Sequence, residues 1–314
     1  MRKKLIQLLF FPICIYTVGC KTNPDSNRNY ADRSKVYKLH LAPVTGSQYY
    51  YDISNESEIS VELNDKKTKS LSKSSAGVYY VMGKDSLGNT LVTITYDKLH
   101  VYSKKGDVET DADAANGLAA VNPLEKMLGS LKDTKMSATI NSKGEIINIQ
   151  GYKELEDKIF SELNFNDDAT KAQARGMWEN AVGNGIIKNN MEELFRIFPD
   201  SSVHIGDSWK LNSLQNGFTV KNIYKLKAIN DDLALIESEG VISSDSSLTN
   251  SPGLGGIPAE LKGDQQGEYE METKTGMLVS AKLKASIKGT VTAGGGDVPI
   301  TIETSVKING KKLK

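Results

Sequence analysis

Glu268-Tyr-Glu-Met-Glu-Thr-Lys-Thr-Gly-Met-Leu-Val-Ser-Ala-Lys-Leu-Lys-Ala-Ser-Ile-Lys288 decides the fold. Glu268, Glu270 and Glu272 alternate with Tyr269, Met271 and Thr273. Beyond Lys274-Thr-Gly276, Val279, Ala281, Leu283, Ala285 and Ile287 alternate with Ser280, Lys282, Lys284, Ser286 and Lys288. A period of two on both sides of a short glycine turn is the pattern of a β-hairpin with one buried face. Gly276 at the third loop position suits a type I turn followed by a bulge. Closing Thr273 on Met277 sets Met271 opposite Val279, Tyr269 opposite Ala281, and Glu268 opposite Lys282 on the wet face. The second arm holds its parity for about 13 residues, or roughly 44 Å. Strands are usually shorter, so the arm predicts a large, curved antiparallel sheet.

The same period recurs on both sides of this hairpin. Tyr37, Leu39 and Leu41 share one face, and beyond Pro43 and Gly46 the residues Tyr49, Tyr51, Ile53, Ile59, Val61 and Leu63 all fall on one parity. Val78–Met82 and Leu91–Tyr102 follow as strands, joined by the turn residues Asp85–Asn89. Apolar parity switches near Asp97-Lys98, which predicts a β-bulge. Ile140–Ile146 reads as a hairpin with Gly144 in the left-handed position. Phe218–Ala228, Leu233–Ile242 and Val298–Ile308 complete the strands. Lys66–Ser75 and Lys105–Ala120 read as loops, as does the Ser/Gly/Pro-rich Ser243–Gly267. The last contains Gly253-Leu-Gly-Gly-Ile-Pro258, which lacks the Gly-Lys-Ser/Thr ending of a phosphate loop.

Met136–Trp209 interrupts the strand pattern with helical spacing. Leu124, Met127, Leu128 and Leu131 after Asn122-Pro123 fit a short amphipathic helix. Tyr152, Leu155, Ile159, Phe160 and Leu163 repeat at three and four residues. A second stripe starts at Asp167/Asp168 and carries Ala172, Met177, Trp178, Ala181 and Val182; Gly183-Asn-Gly185 is expected to break it. A third runs through Ile187, Met191, Leu194 and Phe195 to Pro199. The expected class is α+β and predominantly antiparallel β. It is a large curved sheet or half-barrel, with the helical segment packed on its apolar face. The body spans 35–314, divided into a first β half (35–150), a helical segment (151–198) and a second β half (199–314).

Residues 1–19 read as a secretory leader: Arg2, Lys3 and Lys4, then an apolar run to Val18. The run contains Pro12 and is shorter than the roughly 20 residues a spanning helix needs. Thr17-Val18-Gly19-Cys20 has the form of a lipobox, with Cys20 lipidated as the first mature residue. Residues 20–34 are then the lipidated Cys and a polar, flexible tether. Cys14 leaves with the leader, so the mature chain has no free thiol, no internal disulfide and no thiolate metal site. The expected address is the bacterial envelope, anchored to membrane through Cys20. Lys21 after the Cys favours the outer membrane over the inner.

Removing the three leader cations from 39 basic residues leaves 36 against 39 acidic. That balance gives no electrostatic footprint for nucleic acid. Asp107, Glu109, Asp111 and Asp113 alternate as calcium ligands do, but Ala112 and Leu118 stand where the EF-hand needs Gly and Glu. No cofactor or metal is expected. His40 and His100 fall on polar strand faces and His204 in a turn, with no ligand or nucleophile at local spacing. Ser208 in Gly206-Asp-Ser-Trp209 is not in a nucleophile elbow; Trp209 reads as a packing anchor.

The lipobox, the Tyr-rich first strand, Ala138-Thr-Ile-Asn-Ser-Lys-Gly-Glu-Ile146 and Phe198-Pro-Asp-Ser-Ser-Val-His-Ile-Gly-Asp-Ser-Trp209 resemble a family of Bacteroidota lipoproteins of similar length and unknown function. The resemblance implies an envelope address and supplies no catalytic residues. The sequence therefore points to a non-catalytic lipoprotein that binds an apolar ligand or an envelope protein. The alternatives are an assembly lipoprotein with a filled core and, last, a hydrolase. Whether the sheet's interior is empty or packed separates the first two.

Overall fold

The computed structural model describes residues 34–63, 66–115, 122–132, 134–163, 167–215, 217–244, 259–293 and 296–314. Cys20 with its leader, Leu118 and residues 253–258 lie outside the described residues. The strands are β1 (Gln48–Leu63), β2 (Lys66–Lys84), β3 (Thr90–Lys105), β4 (Val108–Asp113), β5 (Lys135–Ile140), β6 (Ile146–Gln150), β7 (Ser208–Gln215), β8 (Phe218–Asn230), β9 (Leu233–Ser244), β10 (Ala259–Glu272), β11 (Leu278–Ala293) and β12 (Gly296–Lys312). The helices are α1 (Pro123–Leu131), α2 (Tyr152–Glu162), α3 (Asp168–Val182) and α4 (Asn184–Phe195).

The strands form one open antiparallel sheet in the order β6-β5-β3-β2-β1-β12-β11-β10-β9-β8-β7, with β4 also on β3. Most neighbours are consecutive in sequence, as short connections favour. The main exception joins the chain's two β halves: β1 pairs with β12 from Tyr49↔Lys312 to Val61↔Ile300. One face is apolar along continuous cross-strand rows. Ile53, Ile308, Ala281, Tyr269, Ile236 and Leu226 are successive partners across β1, β12, β11, β10, β9 and β8. These strands and residues from all four helices except α1's Leu128 share one core cluster. Burying a side chain such as Leu226 or Ile236 contributes about 1.5–3 kcal/mol.

The hairpin between β10 and β11 keeps the expected pairs Tyr269↔Ala281 and Glu268↔Lys282. Met271, however, faces Leu278 instead of Val279, because the register shifts between Glu270 and Met271. Gly276 takes φ 70°, and its N–H donates to the Glu272 carbonyl at 2.8 Å. The bulge places Met277 and Leu278 inside together and turns Val279 outward. The bulge read at Asp97 is present: Gly77 faces Lys98 and Val78 faces Tyr96, leaving Asp97 extra. Gly144 takes φ 84°, as the hairpin there requires.

Four expectations are corrected. Lys66–Ser75 is not a loop but the first half of β2, paired with β1 throughout. Lys105–Ala120 contains β4, which turns back at Gly106, φ 59°. Residues 259–267, expected in the long loop, belong to β10. Tyr37–Leu41 is not a sheet strand; Tyr37 bridges Val203, with N–H to carbonyl distances of 2.8 and 2.9 Å. The first half of β2 is polar at nearly every position, and β4 and residues 259–267 each bury a single apolar side chain, Ala112 and Leu261, so hydropathy carries little period while backbone pairing still forms.

Helix ends follow capping rules. Asn122 Oδ1 accepts from Leu124 N at 2.9 Å, with Pro123 in the first turn. Asp167 Oδ1 accepts from Thr170 N at 2.7 Å. The break between α3 and α4 is Gly183 alone; Asn184 and Gly185 lie inside α4. A Cβ at Gly183 would collide with the Glu179 carbonyl. Trp209, 9% exposed, stacks on Tyr224 at 5.8 Å, and its Nε1 donates to the Ile197 carbonyl at 3.0 Å. Phe195 at the end of α4 meets Tyr80 of β2, ring to ring, at 5.8 Å.

Candidate functional site

The polar face of β3, β2, β1 and β12 carries two adjacent rows. In one, Lys307 faces Ser54, Ser54 faces Ser75, and Ser75 faces His100. In the next, Ser305 faces Glu56, Glu56 faces Lys73, and Lys73 faces Tyr102. These side chains line an open groove of about 540 Å³. That volume lies within the range of ligand pockets, and four strands give it a width of roughly 14 Å.

Local sequence explains the groove. Lys67, Lys69 and Lys73 stand on one parity of β2, and Thr68, Ser70, Ser72 and Ser74 on the other. The lysines pair across to β1: Lys69 Nζ lies 2.6 Å from Glu58 Oε1, and Lys73 Nζ 3.2 Å from Glu56 Oε1. Beside the groove, the Asp97 bulge is held by Tyr50, whose hydroxyl donates to Asp97 Oδ2 at 3.1 Å. Tyr50 lies over Gly77, where any Cβ would meet its hydroxyl. Burial first, and then the hydrogen bond to Asp97, push the Tyr50 hydroxyl up to about 12. A bulge raises local strand twist, and this one fixes it at the groove's end.

The groove's charge is uneven. Glu56 is paired with Lys73, and His100 Nε2 lies 2.6 Å from Asp111 Oδ1. Among the described residues Lys307 has no ion pair, and it directly faces Lys282 of β11. Ser75 faces His100, but no hydrogen bond joins them among the described residues. Two acids of the alternating stretch are in cross-strand pairs, Asp111 with His100 and Glu109 with Lys104 at 3.4 Å, and Asp113 accepts from the Ala115 N–H at 2.6 Å.

A second, smaller cavity of about 30 Å³ sits on the apolar face beside α4, lined by Glu193, Arg196, Asn222, Tyr224, Gln265 and Tyr269 among others. Gln265 Nε2 donates to Asn222 Oδ1 and Asn222 Nδ2 to the Tyr224 hydroxyl, each at 3.3 Å. Burial raises the Glu193 carboxyl to about 7 and the Tyr224 hydroxyl to about 12. The cavity has room for about two waters.

The histidines stand on separate elements. His204, expected without a local partner, has one: its Nδ1 lies 3.2 Å from Asp207 Oδ2. The same oxygen accepts from the His204 N–H at 2.8 Å, which lowers the Asp207 carboxyl and closes the turn before Trp209. His40 Nδ1 lies 3.2 Å from the Lys38 carbonyl. The groove itself was missed in the sequence. Its only signal was the lysine and hydroxyl alternation of Lys66–Ser75.

The molecule is thus an antiparallel β protein built on one large open sheet, with buried apolar residues on one face and a groove on the polar one. The chain belongs to DUF6263, a family of unknown function, whose model matches residues 87–278. No curated protein matches it. A lipovitellin structure describing lipid–protein interactions aligns at TM-score 0.47 and 9% identity, covering 85% of this chain and 25% of that one. This chain therefore spans about a quarter of it. An outer membrane channel from Pseudomonas putida F1 aligns at TM-score 0.24 and 10% identity, covering 91% and 100%. The autotransporter translocator NalP of Neisseria meningitidis aligns at 0.21 and 6%, covering 85% and 90%. Scores this low define no shared function. No helix among the described residues is long and apolar enough to cross a membrane, which leaves strands out of account.

Proposed function

We propose that this is a lipid-tethered, non-catalytic protein of the bacterial envelope that works through its surface, holding a partner molecule in the polar groove. Cys20 carries the lipid, residues 20–34 form the tether, and the outer membrane is the membrane it joins. The helical segment caps the apolar face of the sheet. The observation that carries this reading is the contrast between the faces. Val92, Ile140, Trp178, Leu226 and Ile236 are 0–1% exposed, and the cavity beside α4 measures about 30 Å³ against about 540 Å³ for the polar groove. Pockets for apolar ligands run to roughly 300 Å³ or more. The two His–Asp pairs, His100–Asp111 and His204–Asp207, are both exposed.

A second reading, an apolar ligand on the sheet, has one observation in its favour. Ser57 and Thr304 face each other on the apolar face, 1% and 2% exposed. Neither hydroxyl has a partner among the described residues, and such burial costs about 1–3 kcal/mol each. An amphiphile's polar group would satisfy them. Native mass spectrometry of the body, residues 35–314, purified without detergent, tests the choice. The bare polypeptide mass is expected; a stoichiometric amphiphile would replace the filled-core reading with the second.

A further inference from the structure

The groove's chemistry narrows its ligand. Lys307 and Lys282 are direct cross-strand partners on the polar face; neither has an ion pair among the described residues, and although Glu268 faces Lys282 from β10, Lys307 has only Ser54 on its other side. Like charges placed opposite each other destabilise a sheet. A bound anion removes that repulsion. Lys307 is also part of the groove wall, so the anion would lie at the groove's β12 side. The rest of the wall offers hydroxyls on separate strands: Ser54, Ser75, Ser305 and Tyr102. Hydroxyls both donate and accept, which suits a ligand that is itself rich in hydroxyls. A nucleic acid is disfavoured, because the chain as a whole has no positive excess.

Resting on the reading of the groove as the working surface, we propose that it binds an anionic sugar, a carbohydrate bearing a carboxylate or phosphate. Lys307 and Lys282 hold the anion, and the serine and tyrosine hydroxyls hold the ring. Neutral sugars lack the group that would offset the lysine pair. Inorganic phosphate lacks the ring and its array of alcohol hydroxyls.

Isothermal titration of the full chain, purified in detergent, with glucose 6-phosphate, galacturonate, glucose and inorganic phosphate tests this. One of the two anionic sugars is expected to bind, with glucose and inorganic phosphate each weaker by about tenfold or more. Lys307→Gln and Lys282→Gln are each expected to weaken that binding about tenfold, with the melting temperature of the free protein unchanged or raised, since each relieves the lysine repulsion. Equal binding of glucose overturns the anion site, equal binding of phosphate overturns the sugar site, and no binding of any probe overturns both. Failure of the groove reading shows separately: a bulky Ser54→Trp that leaves envelope cross-links unchanged removes the groove as the working surface, whatever the sugars do.

Discussion

Glu193 makes the energetics of the α4 contact measurable. Its carboxyl is raised from 4.5 to about 7 by burial, in the cavity it shares with Tyr224 and Tyr269. That interval corresponds to about 3 kcal/mol. Glu193 as a residue is partly exposed, so solvent screening reduces the expected effect to about 2 kcal/mol. The sign follows from the raised folded value. The folded chain holds the proton between pH 4.5 and about 7 while the unfolded chain has lost it. Stability therefore falls as pH rises through that window and is level above it. Glu193→Gln keeps the shape and removes the titration. Urea unfolding of both proteins at pH 5, 6, 7 and 8 isolates the difference from every other group. The variant is expected to gain on the parent by about 2 kcal/mol between pH 5 and pH 8. Parallel stability profiles would refute the buried, proton-holding carboxyl.

Other perturbations have definite expected outcomes. Trp209→Phe keeps a ring but leaves the Ile197 carbonyl without its donor, and is expected to cost about 1–2 kcal/mol in urea unfolding. Trp209→Ala should cost about 3–5 kcal/mol; a loss under 1 would show that Trp209 is no anchor. Gly144→Ala adds a Cβ onto the Phe195 carbonyl at φ 84°. It should cost about 2 kcal/mol or more, and a neutral result would deny the contact between the β5–β6 hairpin and the end of α4. Cys20→Ser should abolish labelling by a palmitate analogue and release the chain from the membrane fraction. Persistent labelling would place the lipid elsewhere.

Much of the sheet was legible where one face is apolar. β1, β8 and β11 announce themselves because a residue out of parity would put a charge in the core. The Asp97 bulge was visible for the same reason: a one-residue insertion must flip the parity of Leu99 and Val101. The start of β2 was not legible, because lysines on one side and hydroxyls on the other give hydropathy no period. Its strand form depends on backbone pairing to β1 and β3 and on the ladder of Lys69 and Lys73 with Glu58 and Glu56. Val279 went to the wrong face because a bulge beside Gly276 is set by turn geometry that hydropathy does not report. The groove was invisible for a different reason. It joins His100 and Lys307, and only the β1–β12 pairing, made last in chain order, brings them to one surface. The His204–Asp207 pair, by contrast, was readable at a spacing of three residues and was missed.

The central claim is that the polar groove is the working surface, and site-directed photo-cross-linking in intact envelopes tests it most directly. A photoreactive residue replaces Ser305 in the groove or, as control, Val241, which is 59% exposed on β9. The account predicts a discrete adduct from position 305 and none from 241. An adduct of equal yield from both, or from 241 alone, would contradict it.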